Sequence, residues 1–293
     1  MAGGDNWEEA GDDESNSMDH TSPLTYAVLP QAIIEELEPE TRKRVQEVAL
    51  RVRAVRPTIE EAGQIHTALQ LAGSISTGCA GIDDLLGGGL RAGTPLAVVG
   101  PGGSGKTQFA YHVVASSLMV DANRQAFWVD TTSTFRPERI HEMVSKRGGN
   151  PTDVLRRILV RRVVGSEAQQ AAVRSLRMSR PRGSILVIDD VYTNFEMDYP
   201  GLERSMLRYA MLRMHLLDVA DLTYRASLFT LVLFPVRYRP GEPHVTPAGQ
   251  PPYLSMPSQL WLEREGDRRY ATYSLSPGKR AAFKITDAGL VDA

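Results

Sequence analysis

Cysteine is nearly absent from the 293 residues; Cys79 is the one thiol. A lone thiol excludes an internal disulfide and a cysteine-based metal cluster, and it fits a reducing compartment. No apolar run approaches the roughly 18 residues that a membrane-spanning helix needs, so no membrane span is expected. The chain does not open with a basic, apolar, small-residue leader, so no secretory signal is expected either. Lysine is scarce, with 5 lysines against 28 arginines, and positive charge is missing altogether before Arg42. That leading segment holds 11 of the 35 acidic residues, so the net charge of −2 averages an acidic start with a body of 33 basic and 24 acidic residues, a formal +9. A basic body with an acidic tail suits a polyanionic partner such as nucleic acid, and it also suits an ordinary domain with a solvating tail. The 42% hydrophobic and 23% charged content is that of a soluble globular protein.

Residues 1–22, "MAGGDNWEEAGDDESNSMDHTS", are too polar to offset the entropy of ordering, and a disordered acidic tail is expected. Residues 23–56 carry two helical periods, with Pro30 and Pro39 at helix starts, and read as a small helical appendage. Residues 57–74 form a connector. From residue 75 to 293 short apolar runs alternate with helical patterns: "PLAVVG" (95–100), "AFWVD" (126–130), "SILVIDD" (184–190) and "SLFTLVLF" (227–234). The expected fold class is α/β, a mostly parallel sheet with helices on both faces. "QLWLERE", "RRYATYSL" and "AAFKI" predict small antiparallel strands at the C-terminal end, with a turn at Gly266–Asp267. The arginine-rich "LRRILVRRVV" (155–164) reads as an exposed edge.

"GPGGSGKT", Gly100 to Thr107, fits G-x-x-x-x-G-K-[ST] between a strand and a helix. At this chain's composition the pattern arises by accident in about one chain in two hundred, so strand and helix context is needed to support it. Glycines let the backbone wrap a phosphate with its amides pointing inward, and the following helix aims its positive end at the anion. Lys106 is placed to reach the β- and γ-phosphates, and the Thr107 hydroxyl to meet Mg²⁺. "ILVIDD" supplies the acid that holds the Mg²⁺ shell. Asp189 directly follows the buried run and is preferred, with Asp190 the rival. The expected nucleotide-binding set is Gly100, Pro101, Gly102, Gly103, Ser104, Gly105, Lys106, Thr107 and Gln108, with ATP and Mg²⁺ as ligands.

"ISTGCAGIDDLLGGGL" (75–90), the glycine-rich loop, "GKTQ" (105–108), "VDTTSTFRPERI" (129–140) and "ILVIDD" together resemble the RecA/RadA recombinase superfamily. The likeness runs from about residue 58 to 290 and is strongest to the eukaryotic and archaeal strand-exchange proteins and their paralogs. "HTALQL" (66–71) and the Ser276–Pro277 turn look more like the paralogs. The resemblance implies a RecA-type P-loop NTPase core with ATP at the strand C-termini, shared between protomers. It also implies a docking peptide whose Phe-x-x-Ala positions fall here on Ile59 and Ala62; the alternative is that both simply pack the linker.

This chain departs from the family pattern at two strand ends. The family's Asp-Thr-Glu-Gly-Thr-Phe is here Asp130-Thr131-Thr132-Ser133-Thr134-Phe135, so Thr132 stands where a glutamate aligns the attacking water. A threonine hydroxyl cannot take up a proton as a carboxylate does. No confident catalytic residue remains, and weak or absent ATP hydrolysis is expected. Glu138 reads as a surface charge of the following helix rather than a substitute. The family's Thr-Asn-Gln is here Leu233-Phe234-Pro235, so the γ-phosphate sensor is missing. In the proline-rich loop that follows, Arg237, Tyr238 and Arg239 are candidate single-stranded DNA contacts; a rigid surface loop is the alternative. Asp198 and Tyr199 match the family after the strand acid, but Leu202 and Glu203 replace a DNA-contacting arginine. The expected role is that of a paralog partnering a recombinase or sister subunits, nuclear in a eukaryote and otherwise cytoplasmic. An active recombinase and a RecA-like regulatory ATPase without a DNA role are the alternatives.

Overall fold

The computed structural model describes residues 38–40, 42–43, 67, 73–179, 183–237, 246–247 and 256–293. Two compact units divide the chain, Met1–Thr58 and Ile59–Ala293. In the first, Pro39, Glu40, Arg42 and Lys43 have helical backbone, and the Arg42 amide donates to Glu38 O at 2.9 Å. The tail 1–22 and the rest of the helical appendage lie outside the described residues.

In the second unit, strands β1 (Ser74–Ile75) and β2 (Leu90–Arg91) pair antiparallel around helix α1 (Ala80–Leu86). The phosphate-loop strand is β3 (Leu96–Gly100), followed by helix α2 (Lys106–Val120). Strand β4 (Ala126–Asp130), helices α3 (Pro137–Lys146) and α4 (Pro151–Arg156), strand β5 (Ile158–Arg162) and helix α5 (Ser166–Ser179) come next. Then follow β6 (Ile185–Asp189), α6 (Thr193–Asp198), α7 (Ser205–Arg225), β7 (Phe229–Arg237) and β8 (Thr246–Pro247). The chain ends in β9 (Gln259–Glu265), β10 (Arg268–Tyr273), β11 (Arg280–Thr286) and β12 (Gly289–Asp292).

The main sheet runs β12-β11-β10-β9-β3-β7-β6-β4-β5, with β8 added antiparallel to the far end of β7. Pairing is parallel from β9 through β5 and antiparallel from β9 to β12. β3, β4 and β6 are buried at every position, which is why they read as unbroken apolar runs rather than alternating ones. One core packs α1 to α4 against one face of the sheet, centred on Phe109, Val113, Trp128 and Phe283. The other packs α5 to α7 against the opposite face, with Phe127, Ile188, Phe195 and Leu212. This is the α/β, RecA-type core with its small antiparallel extension.

Helix α2 is buried from Phe109 to Leu118, as expected of a helix apolar nearly all round. Its start is set by Gly105, whose φ of 107° favours glycine. β7 runs three residues beyond the apolar run ending at Phe234: Gly100 of β3 carries its ladder on to Pro235, and β8 pairs with Val236 and Arg237. β5 forms the sheet edge, with Leu159 to Arg162 exposed, so "ILVRR" is an edge strand in fact. Leu155 and Arg156, taken with that run in the sequence reading, instead end helix α4 (Pro151–Arg156). Asn150 caps this turn through the Asp153 amide and Pro151 occupies its first position.

Candidate nucleotide-binding site

The C-terminal ends of β3, β4, β6 and β7 meet at one edge of the sheet. Register places Asp130 opposite Asp189 and Gly100 opposite Pro235. From Gly100 the loop turns back into α2 through Gly103 (φ 78°) and Gly105 (φ 107°). A Cβ on Gly100 would meet Leu262 O at 2.4 Å and Ser104 Oγ at 2.5 Å, so the first glycine of the motif is demanded by packing as well as by ligand approach. The Lys106 ammonium donates to Gly100 O at 2.7 Å and Pro101 O at 3.1 Å, across the mouth of the loop. Burial lowers its pKa, opposed by the charges of Asp189 and Asp190.

The Thr107 hydroxyl donates to Asp189 Oδ2 at 2.9 Å. Helix start and neighbouring strand end thus bring a hydroxyl and a carboxylate together, the hard oxygen donors that suit Mg²⁺ when phosphate oxygens complete its shell. The residues fit the cation and the triphosphate expected of them. Asp189 is 7% exposed, and its pKa is pushed up to about 6, mainly by burial and further by Asp190 and Asp130. Asp190 turns away from this pair. Its carboxylate accepts from the Tyr192 amide at 2.9 Å, the Thr193 amide at 2.7 Å and the Thr193 hydroxyl at 2.7 Å, so it caps the turn into α6. Gln108 lies on α2 with its amide oxygen accepting from Arg139 Nε at 2.8 Å.

The strand end "DTTSTF" folds into a tight turn. Asp130, 1% exposed, accepts from the Thr134 and Phe135 amides, both at 3.1 Å. The Thr131 hydroxyl donates to Asp190 O at 2.7 Å and to Asp189 O at 3.0 Å. Thr132 is exposed, and its hydroxyl pairs with that of Thr134 at 2.8 Å. Ser133 sits at φ 56°, in the left-handed region where the family pattern has glycine. Below the turn Phe135, Tyr111 and Trp128 pack with ring centroids 4.8 to 5.6 Å apart. The Tyr111 hydroxyl accepts from the Arg136 amide at 2.7 Å. Burial pushes its pKa up to about 12. Glu138 is exposed in the first turn of α3. Arg139, from the same "RPER", bonds Asp287 O at 3.1 Å and Thr286 O, clamping α3 to the last strands. The sequence reading missed Tyr111 and the Arg139 clamp, whose partners are far apart along the chain.

Beyond β6, Asp198 accepts from the Ser166 amide at 2.6 Å and hydroxyl at 2.7 Å. Arg208 holds the carbonyls of Tyr199 and, at 3.2 Å, Gly201. Leu202 is 87% exposed on this turn. Phe234 is fully buried and Leu233 O accepts from the Val191 amide at 3.1 Å, so this strand end presents no side-chain amide. Ile59, Ala62, Tyr238 and Arg239 lie outside the described residues, and of Arg237 only the backbone is described.

A glycine loop bent between a buried parallel strand and a helix, with a threonine–aspartate pair beside it, defines a P-loop nucleotide-binding core of the RecA type. The chain belongs to the Rad51 family: the family model described as Rad51 matches residues 70–236. It is similar to the DNA repair and recombination protein RadA of Metallosphaera sedula, 31% identical over 235 residues that cover 75% of this chain and 72% of the relative. The protein of the same name from Ignicoccus hospitalis is 31% identical over 237 residues, 74% of this chain and 72% of the relative.

Proposed function

We propose that this chain is a recombinase paralog. It binds ATP with Mg²⁺, hydrolyses it weakly or not at all, and assists assembly or stability of a recombinase filament on single-stranded DNA in homologous-recombination repair. The names of its relatives, DNA repair and recombination proteins, support the biological setting. Nucleotide binding rests on Lys106 at the loop mouth and on the 2.9 Å Thr107–Asp189 pair. When bound, Mg²⁺ neutralises charge that builds on the phosphates. Lys106 adds a second positive charge, and Thr107 with Asp189 would hold the cation.

The observation that carries the weak-turnover reading is the state of the carboxyl groups at the strand ends. Thr132 offers only a hydroxyl, already paired with Thr134. Asp130 and Asp190 are consumed by backbone amides, and Asp189 is paired with Thr107. Loss of a positioned general base costs a factor on the order of 10²–10⁴. Pro235, in register with Gly100, stands where a polar sensor would be needed. In this reading Ile59 and Ala62 dock onto a recombinase or sister subunit. Arg237, Tyr238 and Arg239 contact single-stranded DNA within the complex. The setting is nuclear in a eukaryotic cell and cytoplasmic otherwise.

The test is an ATPase assay with and without single-stranded DNA, beside a nucleotide-binding titration. Binding that is lost in Lys106→Ala, with turnover at background, is expected. Robust turnover that collapses in Lys106→Ala would defeat the weak-hydrolysis reading, and its stimulation by single-stranded DNA would favour an active DNA-dependent ATPase or strand-exchange recombinase. Affinity purification from the native cell that brings down no recombinase or paralog sinks the mediator role.

A further inference from the structure

The β9–β10 hairpin stands beside the phosphate loop, and it carries two arginines on the loop side. Arg264 and Arg269 are directly cross-strand, so they share one face of the ladder. The acids of the same hairpin, Glu263 and Glu265, lie on the other face, where both face Arg280. No ion pair engages Arg264 or Arg269 among the described residues; Arg264 Nε donates to Gly266 O at 2.9 Å. Arg269 Nε is buried without a hydrogen-bond partner among the described residues.

Both side chains reach the loop. A Cβ built on Gly105 would lie 3.4 Å from Arg269 Cδ and 3.7 Å from its Nε, and one on Gly103 would lie 4.0 Å from Arg264 Nη1. Like charges directly opposite on a ladder are unfavourable, and a buried donor without a partner is costly. Two such costs on one hairpin tip, a few ångströms from a phosphate loop, point to an anion that relieves both. A guanidinium fork matches phosphate oxygens in shape and charge.

We propose that Arg269, seconded by Arg264, is a phosphate-binding arginine supplied to the glycine loop by the same chain's C-terminal hairpin. The inference rests on the nucleotide-binding reading above. It adds a positive charge to the site that no motif in the loop encodes.

The test uses the full chain, with Mg²⁺ and the slowly hydrolysed analogue ATPγS as probe. Arg269→Gln is expected to weaken ATPγS binding by about tenfold or more, the effect of losing a hydrogen bond to a charged group. Arg269→Lys is expected to keep part of that affinity. Arg268→Gln, an exposed neighbour on the opposite face, is expected to bind as wild type. Nucleotide-free stability separates binding from scaffolding. A phosphate-binding arginine predicts that Arg269→Gln unfolds at the same denaturant concentration as wild type or a higher one, because a like-charge pair has been removed. Unchanged ATPγS affinity, or an affinity loss matched by lower nucleotide-free stability that Arg269→Lys does not restore, overturns the proposal and leaves nucleotide binding intact. Wild-type protein that binds no ATPγS defeats the nucleotide reading itself, and this inference with it.

Discussion

Asp189 makes the site a source of instability in the nucleotide-free fold, and Asp189→Asn measures by how much. The carboxyl group is 7% exposed, and its pKa rises from an ordinary 3.8 to about 6, chiefly through burial. The folded state therefore holds the proton more tightly than the unfolded chain does. Stability from this group is full below the unfolded value of 3.8 and is lost as pH rises through about 6. A difference of about two in pKa corresponds to about 3 kcal/mol above pH 7. Asparagine keeps an acceptor for the Thr107 hydroxyl and removes the charge. Nucleotide-free Asp189→Asn should thus be more stable than wild type at pH 7.5 by on the order of 2–3 kcal/mol, and the gap should close by pH 4. Urea denaturation across pH 4 to 8 reads both numbers. The same variant should lose Mg²⁺-dependent ATP affinity, since a cation repays the buried charge only when the carboxylate is ionised. A variant less stable than wild type at pH 7.5, or a gap that does not vary with pH, would refute the reasoning.

Other positions give independent checks. Ser133→Val forces a β-branched residue to φ 56° and should lower stability by about 1–3 kcal/mol, whereas Ser133→Gly should not lower it; thermal melts of the two suffice. Phe135→Ala opens the ring cluster with Tyr111 and Trp128 and should cost about 3 kcal/mol by denaturant titration. A Cβ on Gly89 would sit 2.2 Å from Ile75 O, at a φ of 102°. Gly89→Ala should therefore split the β1–β2 pair and reduce the yield of folded protein on gel filtration. Cys79 is 1% exposed, and burial pushes its thiol up to about 12. A thiol reagent at pH 8 should leave native protein unlabelled and label it fully in urea.

Much of the core was legible because its signals are contiguous. β3, β4 and β6 are unbroken apolar runs, and the loop from Gly100 to Thr107 is one stretch with its strand and helix attached. Asp189 could be preferred over Asp190 from its place at the end of a run; the structure turns Asp190 into a cap for α6. The edge position of β5 was legible in its arginines. β12 was not, since "GLVD" is four residues with no period to read. Its place is set by Asp292, which accepts from the Ala80 and Gly81 amides at 3.1 and 2.9 Å and so fixes the start of α1. The extension of β7 past Phe234 was hidden by Pro235, which lacks a ladder donor but still aligns with Gly100.

By itself the sequence determined the fold class, the phosphate loop and the replacement of a carboxylate by Thr132, because each lies within one short segment whose chemistry is local. Only the tertiary structure decided what the strand-end acids have left to offer. Asp130 and Asp190 are committed to backbone amides, and the Arg139 clamp ties α3 to the C-terminal strands. It alone set Arg264 and Arg269 beside Gly103 and Gly105. Those residues are separated by more than 150 positions in the sequence, and they meet because β9 adds parallel to β3 and the hairpin that follows ends at the level of the loop. Proximity of that kind follows from sheet order, which no local pattern encodes.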